Sequence, residues 1–534
     1  MPTPTTNPLI LTIDLGTTAC KAGLVTPHGR VVAYVSEADA TPTYFGPGGK
    51  AEQDPADWWA VITRNVRRLL AENADVRERI AGIGVSAHWS GTVAVDEQGQ
   101  PLGNAIIWMD SRGAPYVAEI TRGFPKIEGY GLRRLITWLR LTAGVPTRGG
   151  KDPIAHILYL QRQEPERYQA AYKFLEPKDY LNLKLTGRFA TDPATITLHW
   201  LTDNRDIGDI HYHPTLLKWA GVPREKLPDI LPANAVLGPL TPAAADALGL
   251  PAGIPVTMGA PDVHAPVLGS GAVADFHPHI YVGTSSWFSC HVPFKKTDLF
   301  HNMASLPASV PGRYFVVNEQ ETAGASLTFL RNVIFYGDDA LGNCPAPEDA
   351  YQRFDRLAAQ APAGSNGLIF TPWLYGERTP VEESTLRAGF YNLSLTTTRG
   401  DMARAVMEGV ALNTRWLQGY VEKLAGRGPL NPVNFVGGGA LSDIWSQIFA
   451  DALNRTIHQV KDPQAAGLRG VAVLAGLALN LTTLEDYARH VEIAHTYEPN
   501  PDATPIYDEL FAAYRHIYKR MSPIYKKLNR QNAH

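Results

Sequence analysis

Two strand–turn–strand segments, which lie about 270 residues apart, constrain the fold of this chain most strongly. In the first, an apolar run ends at Asp14 and the chain turns through residues 16–18, Gly-Thr-Thr. In the second, an apolar run ends in residues 283–286, Gly-Thr-Ser-Ser, and a further strand-like stretch follows. Strand and helix patterns alternate along the rest of the chain, as in α/β proteins. The pattern predicts two related α/β domains with a cleft between them, each supplying one turn that holds phosphate.

The length and composition are those of a globular protein with more than one domain. At 534 residues the chain is too long for one ordinary core. We place the boundary between an N-terminal domain of residues 1–271 and a C-terminal domain of residues 272–534. Hydrophobic residues make up 45% of the chain and charged residues 19%, a usual balance for a soluble protein. The net charge is −3 and there is no basic run, which argues against nucleic acid or an anionic membrane as partner.

The cysteines, the N-terminal residues and the longest apolar run indicate the cellular compartment of the protein. Cys20, Cys290 and Cys344 are widely spaced, so they suggest neither a disulfide framework nor a metal cluster and fit a reducing compartment. The first seven residues have no basic region and no long apolar core, so we expect no signal peptide. The longest nearly apolar run, residues 470–481, is too short to span a bilayer. Together these features predict a cytoplasmic protein.

An aspartate after an apolar run is the strongest candidate for a catalytic group. Asp262 follows the strand-like residues 254–258 and precedes a glycine-rich turn. A carboxylate at a strand end, close to glycines whose N–H groups can approach phosphate, is typical of a phosphoryl-transfer site. We interpret Asp262 as the base that takes a proton from a substrate hydroxyl, and Gly283 and Thr284 as a turn that holds nucleotide phosphate. Taken alone, Asp262 is also a good helix N-cap, which is the structural alternative.

The turn after Asp14 has the composition of a second phosphate-binding element. The Asp14 carboxylate can hold Mg²⁺ through water, as that ion prefers. The hydroxyls of Thr17 and Thr18 can bind phosphate oxygens. Because many β-hairpins carry Asp and Gly at the bend, this turn alone does not indicate a nucleotide site.

A triple glycine near the C-terminal end predicts a further nucleotide contact. The apolar residues 433–436 predict a strand that runs into Gly437, Gly438 and Gly439, and a helix begins near Ser442. A glycine-rich turn between a strand and a helix lets the backbone approach a nucleotide closely. Tight packing is the alternative, and we favour nucleotide contact because of the strand before the turn and the helix after it.

Two loops next to predicted strands are candidates for substrate contacts. Trp89 and Ser90 lie in a loop after a strand, where polar and aromatic groups commonly contact ligands in open α/β sheets. A structural turn is the alternative there. Trp108 ends a later predicted strand, residues 104–108, and Asp110 after it could accept hydrogen bonds from sugar hydroxyls. The alternative for Asp110 is a surface ion pair with Arg112, which would stabilise the fold little.

Taken in chain order, these motifs resemble those of the FGGY carbohydrate kinases, a family within the actin-like ATPase group. The resemblance covers nearly the whole chain. Each motif alone is unspecific, whereas the complete ordered set is a strong signal. The matching segments are Asp14-Leu-Gly-Thr-Thr-x-x-Lys21, Trp108-x-Asp110-x-Arg112, Pro177-Lys-Asp-Tyr180, Gly259-x-x-Asp262, Gly283-Thr-Ser285, Gly376-Glu-Arg-Thr-Pro380 and Gly438-Gly-Ala-x-Ser442.

The resemblance implies two ribonuclease-H-like domains that flank a catalytic cleft, and ATP- and Mg²⁺-dependent phosphorylation of a sugar or polyol hydroxyl. By resemblance, Asp262 is the catalytic base and Asp14 is the carboxylate associated with the metal. The other implied contacts are Thr17 and Thr18 with the γ-phosphate, Lys21 near the phosphates, Gly283 and Thr284 with the β-phosphate, Gly438, Gly439 and Asp443 with adenosine, and Trp89, Ser90, Trp108 and Asp110 with substrate. A homodimer is implied by the resemblance alone.

Within the family, the chain is most similar to the xylulokinase-like branch, with departures on the substrate side. Residues 88–91 are His-Trp-Ser-Gly, where that branch usually has Gln-Met-His-Gly. Val263 stands where the branch usually has an asparagine that bonds substrate. We therefore expect an ATP-dependent sugar kinase whose first candidate substrate is a ketopentose such as xylulose. The alternatives are a kinase for ribulose, erythritol or a glycerol-like polyol, and a catalytically weak nucleotide-binding sugar sensor.

Overall fold

A computed structural model describes residues 7–340 and 342–529 of the protein. The prediction that the chain begins without a signal peptide mainly concerns residues 1–6, which lie outside these ranges. Within them, every helix is too short or too polar to cross a membrane.

The first half of the chain forms one large mixed sheet and several small ladders. Its strands are β1 (Leu9–Leu15), β2 (Ala19–Val25), β3 (Val31–Ala38), β4 (Tyr44–Gly46), β5 (Lys50–Gln53), β6 (Ile80–Ala87), β7 (Val93–Val95), β8 (Ala105–Ile106), β9 (Lys126–Ile127), β10 (Tyr130–Gly131), β11 (Lys173–Leu175), β12 (Ala190–Thr191), β13 (Thr202–Asp203), β14 (His211–Tyr212), β15 (Asp229–Ile230), β16 (Val236–Pro239), β17 (Pro255–Thr257) and β18 (Ala260–Pro261). The large sheet has the order β16-β17-β6-β1-β2-β3, and β18 also pairs with β6.

The second half forms a sheet with the order β21-β22-β23-β20-β19-β28-β29-β30. Its strands and the remaining ladders are β19 (Pro278–Val282), β20 (Ser286–Val292), β21 (Thr297–Asp298), β22 (Met303–Pro307), β23 (Tyr314–Val317), β24 (Asp338–Asp339), β25 (Gly342–Asn343), β26 (Ile369–Thr371), β27 (Gly389–Tyr391), β28 (Val433–Val436), β29 (Ile457–Val460) and β30 (Ile493–Tyr497).

The described residues also form helices, several of which pack on the two large sheets. They are α1 (Pro55–Glu72), α2 (Ala114–Ile120), α3 (Leu132–Thr142), α4 (Pro153–Gln163), α5 (Pro165–Ala170), α6 (Pro177–Thr186), α7 (Pro193–Ile196), α8 (Pro214–Ala220), α9 (Pro242–Leu248), α10 (His264–Gly269), α11 (Gly324–Phe329), α12 (Ala350–Gln360), α13 (Arg399–Ala425), α14 (Asp443–Leu453), α15 (Ala466–Ala478), α16 (Leu484–His490) and α17 (Thr504–Leu528).

The two large sheets repeat the same central connectivity. In the first, β1 is antiparallel to β2 and β2 to β3, whereas β6 lies parallel to β1 and β17 parallel to β6. In the second, β19 is antiparallel to β20 and β20 to β23, whereas β28 lies parallel to β19 and β29 parallel to β28. This repetition agrees with the two related α/β units predicted from the two turns. The division at residue 271 stays a prediction.

Strand β1 is apolar on both faces because helices cover both faces of its sheet. Alternate side chains of a strand point to opposite faces. Leu11 and Ile13 share a core with residues of α1, whereas Ile10 packs against Leu468 of α15. Asp14 has the same parity as Ile10, so it belongs to the face that α15 covers. Helix α15 comes from the second half of the chain and thus completes the sheet of the first half.

Several local predictions are confirmed. Asp54 caps α1, its carboxylate accepting a hydrogen bond from Ala56 N at 2.8 Å. Gly187 ends α6 in the left-handed conformation, with φ 73°. The strand expected over residues 433–436 is β28. The strand expected over residues 104–108 is shorter, since only Ala105–Ile106 pair in β8.

Candidate active site

Three parallel strands end at the same edge of the first sheet and bring the two predicted carboxylates together. Asp14 on β1 lies in register with Ser86 on β6, and Ala260 on β18 lies in register with Ser86 from the other side. Asp262 follows two residues after Ala260. Ligand sites of α/β sheets form at such carboxyl ends of parallel strands. The edge formed by β1, β6 and β18 therefore carries the candidate site.

Asp262 is held in a partly buried position at this edge. Its backbone N–H donates to Ala87 O at 2.9 Å, and its Oδ1 accepts a hydrogen bond from Trp89 N at 3.2 Å. Burial, followed by the negative charge of Asp14, raises the pKa of Asp262 to about 8. Helix α10 begins at His264, after Val263, without a side-chain cap bond. The alternative that Asp262 serves as a helix N-cap is therefore wrong.

The Asp14 carboxylate lies against the first turn of α15. A Cβ atom at Gly467 would stand 2.7 Å from Asp14 Oδ2, so only glycine leaves room for the carboxylate there. On the other side, Lys21 Nζ lies 3.9 Å from the same oxygen and donates to Gln464 O at 3.2 Å. The positive end of a helix and a lysine both favour an anion at this position. Lys21 and Gln464 also join the first turn to the second half of the chain.

The donor set around Asp14 fits Mg²⁺. The ion prefers oxygen ligands and commonly binds proteins through one or two carboxylates while keeping its waters. Asp14 is only partly buried, and the absence of a side chain at residue 467 leaves room for its carboxylate. Asp14 is the residue that would hold the ion.

The turn after β1 presents hydroxyls toward solvent. Its backbone is fixed because Thr17 O accepts hydrogen bonds from Gln53 Nε2 at 2.8 Å and from Thr41 Oγ1 at 2.9 Å. Trp108 Nε1 donates to Thr17 Oγ1 at 3.0 Å. Thr18 is exposed at the tip of the turn. The structure thus connects predicted substrate residue Trp108 to the predicted phosphate turn, and Thr18 is the more accessible hydroxyl.

The turn after β19 faces the two carboxylates from the second half of the chain. Tyr281 lies under this turn, since a Cβ at Gly283 would stand 2.7 Å from Tyr281 Cε1. The pKa of Tyr281 is raised by burial and then by the negative charges of Asp14 and Asp262. Gly283 is partly exposed and Thr284 is exposed. Both predicted phosphate turns therefore border one cleft.

The three glycines at residues 437–439 divide between the two interpretations of the sequence, tight packing and an open position for a nucleotide. Gly437 and Gly439 approach Val282 so closely that a Cβ would stand 2.5 Å from Val282 O and 2.6 Å from Val282 Cγ1, respectively. Gly438 is exposed, and the nearest atom to a Cβ at this position would be Gln464 Nε2, at 4.0 Å. Tight packing explains Gly437 and Gly439, and Gly438 is the glycine that remains open to a ligand.

Asp443, the other residue predicted to contact adenosine, is exposed in the first turn of α14. Its Oδ1 accepts hydrogen bonds from Tyr497 OH at 2.7 Å and Gln459 Nε2 at 3.1 Å. The bond from Tyr497 is the main cause that lowers the pKa of Asp443. Asp443 is therefore an oriented anion beside the exposed turn at Gly438.

The predicted substrate loop acts largely through its backbone. The side chain of Trp89 is buried, its Nε1 donates to Thr195 O at 3.0 Å, and its ring lies edge-on to His264 at 5.1 Å. Ser90 adopts a left-handed conformation with φ 65°, which is uncommon for a residue other than glycine. Its Oγ donates to Lys151 O at 2.9 Å. Trp89 thus orients Asp262, and direct contact of Trp89 and Ser90 with a sugar stays a prediction.

Asp110 is a buried member of an ion-pair network. The side chain is 1% exposed, its Oδ2 accepts from Ala51 N at 2.8 Å, and Arg112 Nη2 lies 2.7 Å from the same oxygen. Arg112 also reaches Glu52 Oε1 at 2.6 Å. The structural alternative placed the pair of Asp110 and Arg112 on the surface. The pair is in fact buried. These bonds occupy Asp110 and give it a positioning role, so its direct contact with substrate stays a prediction.

Charged residues near Asp262, among them Arg378 and Lys151, were not predicted from the sequence as site residues. Arg378 binds Glu319 Oε2 at 2.5 Å and Glu321 Oε1 at 2.7 Å. The charge of Glu319 contributes to the raised pKa of Asp262. Lys151 lies near the same charges, and burial, followed by the charge of Arg378, lowers its pKa. Arg378 belongs to the Gly-Glu-Arg-Thr-Pro motif, which was the available signal, whereas Lys151 carries no motif.

The arrangement has the parts that phosphoryl transfer to a hydroxyl requires. A carboxyl with a raised pKa stands in a cleft, a second carboxylate suits a metal ion, and two turns with exposed threonines, Thr18 and Thr284, border the same space.

Comparisons with known proteins agree with this geometry. Residues 9–269 match the N-terminal domain of the FGGY family of carbohydrate kinases, and residues 279–479 match the C-terminal domain of that family. A xylulose kinase of Staphylococcus epidermidis is 28% identical over 96% of this chain and 97% of its own length.

Solved structures give the same result. A gluconate kinase from Lactobacillus acidophilus is 27% identical, with a TM-score of 0.83 over 98% of this chain and 100% of its own. A ligand-bound xylulose kinase from the same organism is 26% identical, with a TM-score of 0.82 over 97% and 99% of the two chains. This chain therefore belongs to the FGGY family of carbohydrate kinases, which confirms the fold class and the enzyme class predicted from its sequence.

Proposed function

We propose that this kinase transfers the γ-phosphoryl group of ATP to a hydroxyl of a ketopentose, with xylulose as the first candidate. The observation that carries the proposal is Asp262, a partly buried carboxyl whose pKa is raised to about 8, in a cleft bordered by the two turns predicted to bind phosphate. A general base works best when its pKa lies near the working pH. The xylulose kinases among the similar proteins favour xylulose as the acceptor.

In the proposed reaction Asp262 removes the proton from the acceptor hydroxyl. The hydroxyl oxygen forms a bond to the γ-phosphorus of ATP, the bond from that phosphorus to the β–γ bridging oxygen breaks, and ADP leaves. Trp89 N keeps the carboxylate oriented by its bond to Oδ1. Thr18 and the turn at Gly283 and Thr284 bind phosphate oxygens.

Two further parts of the site support the triphosphate. Mg²⁺ bound near Asp14 would neutralise phosphate charge. The exposed Gly438 lets the backbone approach the nucleotide, and Asp443 beside it is positioned to accept hydrogen bonds from adenosine.

A sugar acid is the second candidate substrate, and Lys151 favours it. Its backbone lies beside Ser90, and its ammonium lies near Arg378 and the two glutamates that bind Arg378. Among the described residues, none forms a hydrogen bond or an ion pair with Lys151 Nζ. A half-buried ammonium without a partner suits a carboxylate, and one similar structure is a gluconate kinase.

A screen of ADP release tests the proposal. We expect Mg·ATP turnover to be stimulated by D- or L-xylulose, with ribulose, erythritol, glycerol and gluconate as the other acceptors tested. Asp262→Ala should lower the stimulated rate about 10²- to 10⁴-fold, the usual contribution of a general base. ATP binding without stimulation by any of these compounds would contradict the kinase proposal and favour a sugar sensor.

Replacing Lys151 separates the two candidate substrates. If the substrate is a sugar acid, Lys151→Met should raise its KM at least about tenfold, because a charge-assisted hydrogen bond is lost. Lys151→Arg, which keeps the charge, should recover part of that loss, and the KM for ATP should not change. With xylulose as the true substrate, the KM for xylulose of both variants should stay within a few-fold of the wild-type value.

The homodimer, the cytoplasmic location and the lack of a nucleic-acid partner stay predictions.

A further inference from the structure

A group of metal-ligating side chains lies away from the catalytic edge, where the β2–β3 turn meets α16. His28 comes from the turn, and Asp486 and His490 come from one face of α16, four residues apart. We call these three residues the His–Asp–His cluster. One ligand atom from each lies within 4.8 Å of the other two. An ordinary surface ion pair rarely brings together three potential metal ligands from two elements that are distant in sequence.

The cluster stands at the opposite end of β2 from the catalytic turn. The turn at residues 16–18 precedes β2, whereas His28 follows it. A strand of seven residues separates the two ends by about 20 Å, since each residue adds about 3.3 Å. A metal ion at the cluster would therefore be independent of the ion expected at Asp14.

Both elements that carry the ligands are fixed by buried contacts. Gly29, next to His28, packs so closely on α16 that a Cβ there would stand 2.6 Å from Tyr487 Cε2. Tyr487 is fully buried and donates from its hydroxyl to Leu268 O at 2.7 Å. Arg469 Nε donates to Gly29 O at 3.1 Å from the adjacent helix α15. The distance between His28 and α16 is thus set by the core rather than by the surface side chains.

The hydrogen bonds within the cluster leave ligand atoms available. His490 Nδ1 lies 2.7 Å from Asp486 O, an acceptor, so the ring donates from Nδ1 and keeps a lone pair on Nε2. Such a bond from the second nitrogen to a backbone carbonyl is the usual support for a metal-binding histidine. His28 Nδ1 lies 3.0 Å from Asp486 Oδ2 and 3.1 Å from Thr482 Oγ1, and the rings of His28 and His490 are 5.0 Å apart.

We propose that the His–Asp–His cluster binds one transition-metal ion of the Zn²⁺ type and joins the β2–β3 hairpin to α16. Two imidazoles and a carboxylate supply three ligands, and water completes the tetrahedral coordination that Zn²⁺ prefers. Imidazole ligands select Zn²⁺ and its transition-metal neighbours over Mg²⁺, which prefers oxygen. The ion would connect the first half of the chain to the second at a point remote from catalysis.

Zinc binding to the full-length, tag-free protein after EDTA treatment tests this proposal. We expect about one equivalent of Zn²⁺ per chain in the presence of excess Mg²⁺, and a rise in Tm on zinc addition. His28→Ala and His490→Ala should each weaken binding at least about tenfold, because loss of even a supporting partner costs 10- to 100-fold. The double variant should bind no zinc in this range and show no rise in Tm.

His211→Ala is the matched control, since His211 is also exposed and also lies beside an aspartate, Asp209, at 3.5 Å. This variant should bind zinc as the wild type does. Substitution of Co²⁺ adds a second readout, because a tetrahedral site should give visible absorption that the double variant lacks. Equal binding by the wild type and the double variant, or no binding by either, would overturn the proposal and leave His28 and Asp486 as a simple ion pair.

Discussion

At the scale of single residues, the main feature of the site is a carboxyl group whose ionisation the fold shifts to higher pH. An ordinary aspartate has a pKa near 3.8, whereas burial and the charge of Asp14 raise that of Asp262 to about 8. Glu319 adds to the same effect from the second half of the chain. The proposed catalytic base is therefore also a source of instability, as is common in active sites.

Replacing Asp262 should stabilise the protein in a pH-dependent way. Because the folded-state pKa is raised, the wild-type fold loses stability as the pH rises from about 4 to about 8, while Asp262 in the unfolded chain is already ionised. Asp262→Asn lacks this loss, so its unfolding free energy should exceed that of the wild type by up to about 4 kcal/mol at pH 7. Urea unfolding at pH 5 and pH 8 checks this. An equal difference at both values would contradict it.

Removing the Glu319 charge should shift the pH profile. Glu319→Gln takes away a negative charge that raises the pKa of Asp262, so the base should ionise at lower pH. The acid limb of kcat/KM, which reports the free enzyme, should move to lower pH. Glu321→Gln is the matched control, because Glu321 also binds Arg378 but is not among the main causes of the Asp262 shift. Identical shifts in both variants would argue against the charge effect.

At the scale of elements, the start of α15 determines where Asp14 can lie. The helix approaches β1 without a side chain at Gly467, and the Asp14 carboxylate occupies that space. The preceding Gln464 accepts from Lys21. One helix end therefore supports a candidate metal ligand and a candidate phosphate contact, although it lies about 450 residues away in the chain.

Gly467→Ala should impair catalysis more than folding. Its Cβ would stand 2.7 Å from Asp14 Oδ2, so the carboxylate or the helix must move. We expect kcat/KM for Mg·ATP to fall at least about tenfold, since misplacement by 1 Å can cost about 100-fold. Gly419→Ala in α13 is the control, because nothing lies within 4 Å of its Cβ.

The control should keep its activity and gain about 0.5–1 kcal/mol of stability, as alanine does relative to glycine within a helix. Steady-state kinetics and thermal unfolding of both variants measure these effects. Wild-type kinetics in Gly467→Ala would show that the contact with Asp14 does not matter.

At the scale of the whole molecule, the two halves of the chain are interlocked rather than merely adjacent. Helix α15 packs on β1, β2 and β6 of the first sheet, and against α10. It buries Ile10 and Val25 on the face opposite α1. The connection also places a helix from the second half of the chain directly against Asp14.

A fragment of residues 1–271 should therefore not fold alone. It contains the first sheet but lacks α15, so one apolar face of β1 and β6 would be exposed. We expect no cooperative thermal transition by circular dichroism. A fragment in which residues 463–491 are linked to residue 271 restores α15 and α16 and should unfold cooperatively. A cooperative transition of residues 1–271 alone would contradict this interpretation.

Local sequence signals were enough to predict many helices and strands and to identify the family. The Asp54 cap, the glycine that ends α6 and the strand over residues 433–436 depend on neighbours within a few residues, so the pattern of the chain predicts them directly. The ordered motifs likewise indicate a carbohydrate kinase, because the complete set resembles that of the FGGY family although each motif alone is unspecific.

Only the tertiary structure decided which atoms of these motifs face the cleft. Trp89 contributes its backbone while its ring is buried, Asp110 is occupied by Arg112, and Gly438 alone of three glycines remains open. Burial and pairing depend on partners hundreds of residues away, such as Gly467 beside Asp14, and no local pattern contains them. The sequence by itself determined the fold and the chemistry, whereas the tertiary structure decided the role of each residue, because pKa and accessibility arise from long-range packing.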